Sequence, residues 1–417
     1  MRAQAPSAHG GRPTPAPVAW QRNLAFLWIT QFIAFFGYAF VNPFLAVYMR
    51  NDLGVRNDAT LALWTGLALG SAGLTMALAN PLWGVLGDRF GLKPSIARAM
   101  IGGGVSIVLM GFVQTPLQMV GARALLGAFA GAQVPAQALV AAETPPSEVA
   151  RSLGFLAAAM GLARTIGPLV GGLLAVFFTL RRVFVASGIA LTLAVALVVL
   201  GVRETPRPRL GRGGTRAGLR SIGAASRRSI IALIGVQALI QFTFNACQAL
   251  LALRLIALDP AHPQLLVGLA FGCVGVTTVA VSLTYGRLVG RGYRLVGMAS
   301  GGAMALSLVL MAIAPSASLV VACSALLGIA WGAVNPTIST LIGLEAPAAV
   351  RGTVFGFSAS ALAAGLATGP IAAGLAAAIA GVPVALAVSA FAAVLAAVLM
   401  ALFVREPPAG TATAAIG

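Results

Sequence analysis

Along the 417 residues, apolar runs of about twenty to twenty-five side chains alternate with short polar or basic connections. The runs fall near 24–48, 62–86, 95–113, 117–141, 152–176 and 183–203, then near 230–253, 264–286, 295–314, 319–343, 353–379 and 382–404. Each can cross a hydrocarbon layer of about 30 Å as a helix. The pattern predicts an all-α integral membrane protein of twelve transmembrane helices in two six-helix bundles, residues 23–203 and 230–404. A disordered tail over 1–22, a basic linker over 204–229 and a second tail over 405–417 complete the expected organisation.

The two sets repeat in sequence. Ala124-Leu-Leu-Gly127 recurs as Ala325-Leu-Leu-Gly328, Gly131 as Gly332, Pro135 as Pro336, and Gly154-Phe155 as Gly356-Phe357. Gly167-Pro168 with Gly171 and Gly172 returns as Gly369-Pro370 with Gly374. Six is an even number, so both bundles enter the bilayer from the same side, and a pseudo-two-fold axis along the membrane normal is expected to relate them. A Gly-Pro pair weakens a helix in water, but membrane helices accept it where a neighbour packs closely against the small residues. The fifth and eleventh helices are therefore each expected to carry a close-packing, bending element.

Composition then narrows the class. With 59% hydrophobic and 9% charged residues, and a mean hydropathy of +0.95, a soluble globular chain is excluded. A net charge of +18 would suggest nucleic acid in a soluble protein, but here the basic residues follow topology. With the amino terminus inside, twenty Lys and Arg fall on the inner side, among them Arg203, Arg207, Arg209, Arg212, Arg216, Arg220, Arg227 and Arg228, and five on the outer. Both termini are thus expected to be cytoplasmic, and no nucleic-acid partner is expected. Three cysteines, an odd number lying inside spans, suit packing rather than disulfides, and no metal-ligand spacing occurs. No metal, no cofactor and no nucleophile-base constellation is predicted, so an enzyme is disfavoured.

The connection after the second span reads Gly84-Val-Leu-Gly87-Asp88-Arg89-Phe-Gly91-Leu-Lys93. It resembles the signature loop of the major facilitator superfamily, except that its last basic position is Pro94. Arg123-Ala-Leu-Leu-Gly127 with Gly131 resembles a second superfamily motif, and Gly167-Pro168 with Gly171-Gly172 resembles the fifth-helix motif of proton-driven exporters. Over roughly residues 20–405 the chain is similar to the twelve-helix multidrug:proton antiporters of bacteria. The resemblance implies a small-molecule substrate, protons as coupling ion, multidrug efflux by alternating access, and a monomer in the bacterial inner membrane. It also implies a conformational latch at Gly84, Asp88, Arg89, Gly91 and Lys93, with Asp88 meeting the amino end of helix 11 in one state. The alternative is plain solvation and orientation by Arg89 and Lys93. Gly84 and Gly91 are read as permitting tight turns.

In this superfamily helices 1, 4, 7 and 10 line the central cavity, and all four carry polar or aromatic residues at helical spacing. They are Gln31, Tyr38 and Asn42; Gln133 and Gln137; Gln237, Gln241, Asn245 and Gln248; and Trp331 and Asn335. Amides in hydrocarbon need a partner or water, which a wetted cavity supplies. The alternative is that they bond across helices and hold the bundle together.

No Asp or Glu lies at mid-depth in any span, so proton coupling lacks its usual carrier. Glu143, at the inner end of helix 4, is the candidate proton site; a facilitator, or an exporter of one anionic metabolite, is the alternative. Two arginines remain inside spans. Arg123 reads as snorkelling, a carbonyl contact or a gate. Arg164, about twelve residues and roughly 18 Å into helix 5, reads as a transport residue or as a donor to carbonyls freed by Pro168.

Overall fold

The computed structural model describes residues 20–205, 224–290, 292–346 and 351–404, and at positions 88, 224–226 and 351–353 the backbone alone. The expected tails beyond these bounds, most of the basic linker and the side chain of Asp88 lie outside the described residues.

Among the described residues, twelve helices are long and apolar enough to span a membrane. They are α1 (Trp20–Asn51), α2 (Asp58–Phe90), α3 (Leu92–Phe112), α4 in two pieces (Pro116–Phe129 and Gln133–Glu143), α5 (Val149–Phe177) and α6 (Leu180–Leu193, continuing as Val195–Gly201). The second set is α7 (Ala224–Leu258), α8 (Pro263–Val289), α9 (Tyr293–Ile313), α10 (Ala317–Glu345), α11 (Arg351–Ala380) and α12 (Val382–Phe403). Among the described residues all regular structure is helical. Side chains stop the orphan amides at several starts: Asn57 accepts from Thr60 N, Thr115 and Gln118 form a capping box, and Ser316 accepts from Leu319 N.

Two departures from the sequence reading have physical causes. Gly84 does not sit in a turn; α2 runs through it to Phe90, and the turn is made by Gly91 alone, whose φ of 103° favours glycine. Helix 4 is not continuous. It breaks at Ala130–Ala132 around Gly131, whose φ is 114°.

The halves meet along a two-fold seam made by α2 against α11 and α5 against α8. A Cβ added to Gly66 would strike the Pro370 carbonyl and lie 2.9 Å from Gly374 Cα, while one on Gly172 would lie 3.0 Å from Gly268 Cα. Further along, Gly73 meets Ala367 N at 2.8 Å and Gly275 meets Thr165 Cα at 2.7 Å. The pairs 66 and 268, 73 and 275, 172 and 374 keep one constant offset, so the sequence repeat is a repeat of contacts. Backbones approach this closely because the residues are small.

The seam is tight on one side only. Gly84 and Gly286 lie on the same helix faces as Gly73 and Gly275, three turns on, and Gly154 and Gly356 lie three turns before Thr165 and Ala367. An added Cβ at any of these four would meet nothing within 4 Å. The halves are therefore packed together on the side of residues 52–57, the loop side, and splayed on the side where residues 203–205 leave α6, the linker side.

Candidate functional site: the space between the halves

α5 is placed by its own small residues. Gly167 puts α5 against α1, where an added Cβ would lie 3.1 Å from Ala39 Cβ, and Gly171 receives the Phe40 and Phe44 rings. Those rings continue into a buried stack with Phe184 and Tyr48, with centroids 5.1–5.4 Å apart. On the adjoining face, the Pro168 carbonyl would be 3.0 Å from a Cβ on Gly268 of α8. Arg164 lies one turn before these contacts, facing the cleft between α1 and α8, and its side chain is exposed. Its guanidinium sits 4.7 Å from the centroid of the Phe35 ring. Among the described residues it donates to no carbonyl, so the donor cluster around Pro168 is not what the structure contains.

The second half supplies a polar and aromatic cluster. Gly365 lets α11 close onto α7 beside Gln241, whose Nε2 donates to Asn335 Oδ1 of α10 at 3.4 Å. Asn245 Nδ2 donates to the Gln241 carbonyl at 2.7 Å, and Asn335 Nδ2 to the Trp331 carbonyl at 3.3 Å. The Trp331 and Phe244 rings stack at 3.6 Å. Gln241, Asn245, Trp331 and Asn335 are thus brought together, and three of them share hydrogen bonds across two helices, as the bundle-holding reading of the amides expects.

The other expected lining residues are distributed differently. Gln237 is buried and Gln248 half-buried further along α7, while Asn42, Gln133 and Gln137 are half-buried in the first half. Tyr38 turns away from α7 and α10, its hydroxyl donating to Ala99 O of α3 at 3.4 Å and lying against Gly103. Gln31 is fully buried, and among the described residues neither of its amide atoms has a hydrogen-bond partner. Arg123 is buried between α4 and α2, where its Nε donates to Ala68 O at 3.3 Å, the carbonyl contact among its readings.

At the signature loop, the acid that meets a helix start comes from the linker. Glu204 accepts from Leu92 N and Lys93 N at 2.8 and 2.9 Å, and a Cβ on Gly91 would lie 3.0 Å from its carboxylate. Carboxylates are favoured at helix amino ends, where free amides and the dipole converge. Lys93 Nζ donates to Val199 O, while Arg89 is exposed beside Phe90. Next to Glu204, Arg203 exchanges two backbone hydrogen bonds with the Asn23 amide, and Thr205 donates through N and Oγ1 to Glu143, both at 3.0 Å. Three consecutive residues at the start of the linker are therefore tied to α1, α3 and α4.

Comparison with known proteins agrees with this architecture. The sequence profile described as Major Facilitator Superfamily matches residues 27–259 and again 233–416. The chain belongs to the major facilitator superfamily. It is 31% identical over 343 residues to the multidrug resistance protein MdtG of Enterobacter lignolyticus (strain SCF1), covering 82% of each chain. It is 30% identical over 346 residues to MdtG of Proteus mirabilis (strain HI4320), covering 82% of this chain and 85% of that one. In structure it resembles the nucleoside transporter NupG with a TM-score of 0.77 at 15% identity, covering 92% of this chain and 100% of the other. The protein is a multi-pass membrane transporter of this superfamily, and its fold is the superfamily's.

Proposed function

We propose that the protein exports small lipophilic compounds, as a multidrug or xenobiotic efflux transporter of the bacterial inner membrane, by alternating access between its two halves. The observation that carries this reading is the seam, closed by paired glycines on the loop side and open on the linker side, with Arg164 on α5 beside it and the Gln241–Asn335–Trp331 cluster on α7 and α10 of the second half. Rocking about such a seam exposes a central site to one side at a time. The relatives named as multidrug resistance proteins support the same substrate class. With both termini cytoplasmic, as the arginine distribution favours, the open side faces the cytoplasm. The protein acts as a monomer, since each half already closes the other's seam.

Apolar walls with a few amides suit loose recognition of hydrophobic ligands. Arg164 adds a positive charge with no acid at mid-depth to balance it, so neutral and anionic ligands should be preferred over cations. Protons are the proposed coupling ion. Glu143 is their proposed site, because protonating it would weaken the carboxylate's hold on Thr205 where the linker leaves the first half. The same absence of a mid-depth acid favours a second reading, a facilitator or exporter of one anionic metabolite.

A susceptibility and accumulation panel in a pump-deficient host, with and without an uncoupler, tests both. Export of several neutral or anionic compounds that the uncoupler abolishes is the expected result. Unchanged accumulation of every compound would sink the efflux reading, and transport of a single anion indifferent to an imposed pH gradient would favour the second.

A further inference from the structure

The break in α4 builds a second feature, on the outside of the first half. With the helix interrupted after Phe129, the Ala128 and Phe129 carbonyls lack their usual helical donors. Trp83 Nε1 of α2 takes the first at 2.6 Å, and Arg98 of α3 reaches the second at 3.4 Å. The Arg98 guanidinium then lies over the Trp83 ring, 3.7 Å from its centroid. Gly102 allows the Phe129 ring to lie directly on α3. Beside these residues runs a groove of about 380 Å³, lined by Arg98, Ile101, Gly102, Val105, Leu125 and Phe129.

The groove opens away from the space between the halves. Its α3 wall belongs to an exposed apolar stripe, Ile101 (45% exposed), Val105, Leu109 and Phe112 (64%), which in a membrane faces acyl chains. Arg98 stands at its linker-side end, six residues or about 9 Å from the start of α3, at the depth where an arginine reaches phosphate. It lies over an indole ring, donates to one carbonyl and has the Tyr38 phenol close by; among the described residues no carboxylate pairs with it. A cation held by neutral groups at the mouth of an apolar, lipid-facing groove is complementary to one class of molecule, with a negative head and an apolar tail.

We propose that this groove is a binding site for an anionic phospholipid, one acyl chain lying along Ile101, Val105, Leu125 and Phe129 and the phosphate on Arg98. Basic pockets between transmembrane helices on the cytoplasmic side recognise anionic head groups in this way. The site is separate from the transport path and does not depend on what the protein carries.

Native mass spectrometry of the purified full-length protein, titrated with phosphatidylglycerol or phosphatidylcholine, tests it, with thermal unfolding in inorganic phosphate as a third arm. Phosphatidylglycerol should be retained at least fivefold more strongly than phosphatidylcholine. Arg98→Gln should make the two equal, Arg98→Lys should keep most of the preference, and Val105→Trp, filling the groove from an exposed position, should weaken retention of both. Equal retention by the unmodified protein, a preference that survives Arg98→Gln, or full retention in Val105→Trp would each overturn the proposal. So would stabilisation by inorganic phosphate alone that matches the phospholipid's. Should Arg98→Gln fail to fold, Val105→Trp still decides.

Discussion

Gly66 offers the most direct test of the seam. In this conformation a methyl group there would strike the Pro370 carbonyl and press within 2.9 Å of Gly374 Cα. Both obstacles are backbone, which cannot swing aside as a side chain can, so Gly66→Ala must push α2 and α11 apart on the loop side. Overpacking of this kind costs about 1–3 kcal/mol, and because the strain belongs to the loop-closed state, it should shift the equilibrium towards loop-side opening by about 5–150-fold. Gly84 is the control: it lies on the same face of α2, and an added Cβ there meets nothing within 4 Å. The reporter is Ala62→Cys, at a seam position that is 1% exposed in this state, on a background with Cys247, Cys273 and Cys323 replaced. Labelling of that cysteine by an impermeant maleimide from the loop side should accelerate in Gly66→Ala by a factor within that range, and stay level or slow in Gly84→Ala. Gly268→Ala, the two-fold mate, whose added Cβ would meet Gly172 Cα and the Pro168 carbonyl at 3.0 Å, should accelerate labelling less than Gly66→Ala does. Equal labelling in Gly66→Ala and the parent, or equal acceleration in Gly84→Ala, would refute the idea that paired glycines set the closed state.

Three further outcomes follow from named contacts. Arg164→Gln removes the charge and the contact with Phe35, worth about 0.5–2 kcal/mol, and should lower transport of anionic compounds several-fold relative to neutral ones while leaving the amount of folded protein unchanged; loss of folded protein with no change in charge preference would return Arg164 to a structural role. Gln241→Leu leaves the half-buried Asn335 Oδ1 without its donor, costing about 0.5–1.5 kcal/mol, and should narrow or shift the range of exported compounds, whereas an unaltered range would remove this cluster from the ligand path. Glu204→Gln weakens the cap on α3 by about 1 kcal/mol and should lower the unfolding temperature by about one degree; an unchanged melt would mean that water replaces the carboxylate at no cost.

Apolar run length alone was enough for the twelve spans, because a helix must satisfy its own backbone within hydrocarbon and needs about twenty residues to cross it. The duplication of Gly167-Pro168 as Gly369-Pro370 likewise announced two equivalent close contacts, since only small residues let backbones meet. Glu204, in contrast, looked like one acid among linker arginines, and nothing local tells that it returns to the start of α3. The amides on α7 were legible as a face; that Gln241 and Asn245 join Asn335 while Tyr38 turns to Ala99 depends on how neighbouring helices are rotated.

α4 and α10 show most clearly where local sequence ends. Gly131 with Pro135 and Gly332 with Pro336 are the same pattern, yet α4 breaks and α10 runs unbroken from Ala317 to Glu345. Where the first half has Trp83 and Arg98 to receive the carbonyls the break releases, the repeat has Tyr285, bonded to Thr337 Oγ1, and Ser300, bonded to its own helix at Val296 O. The sequence by itself determined the helices, their pairing and the small residues on which the two halves meet. Tertiary structure decided which side of the seam is shut and which of two like helices is interrupted, because an unbonded carbonyl in a membrane is tolerated only where another element brings a donor to it.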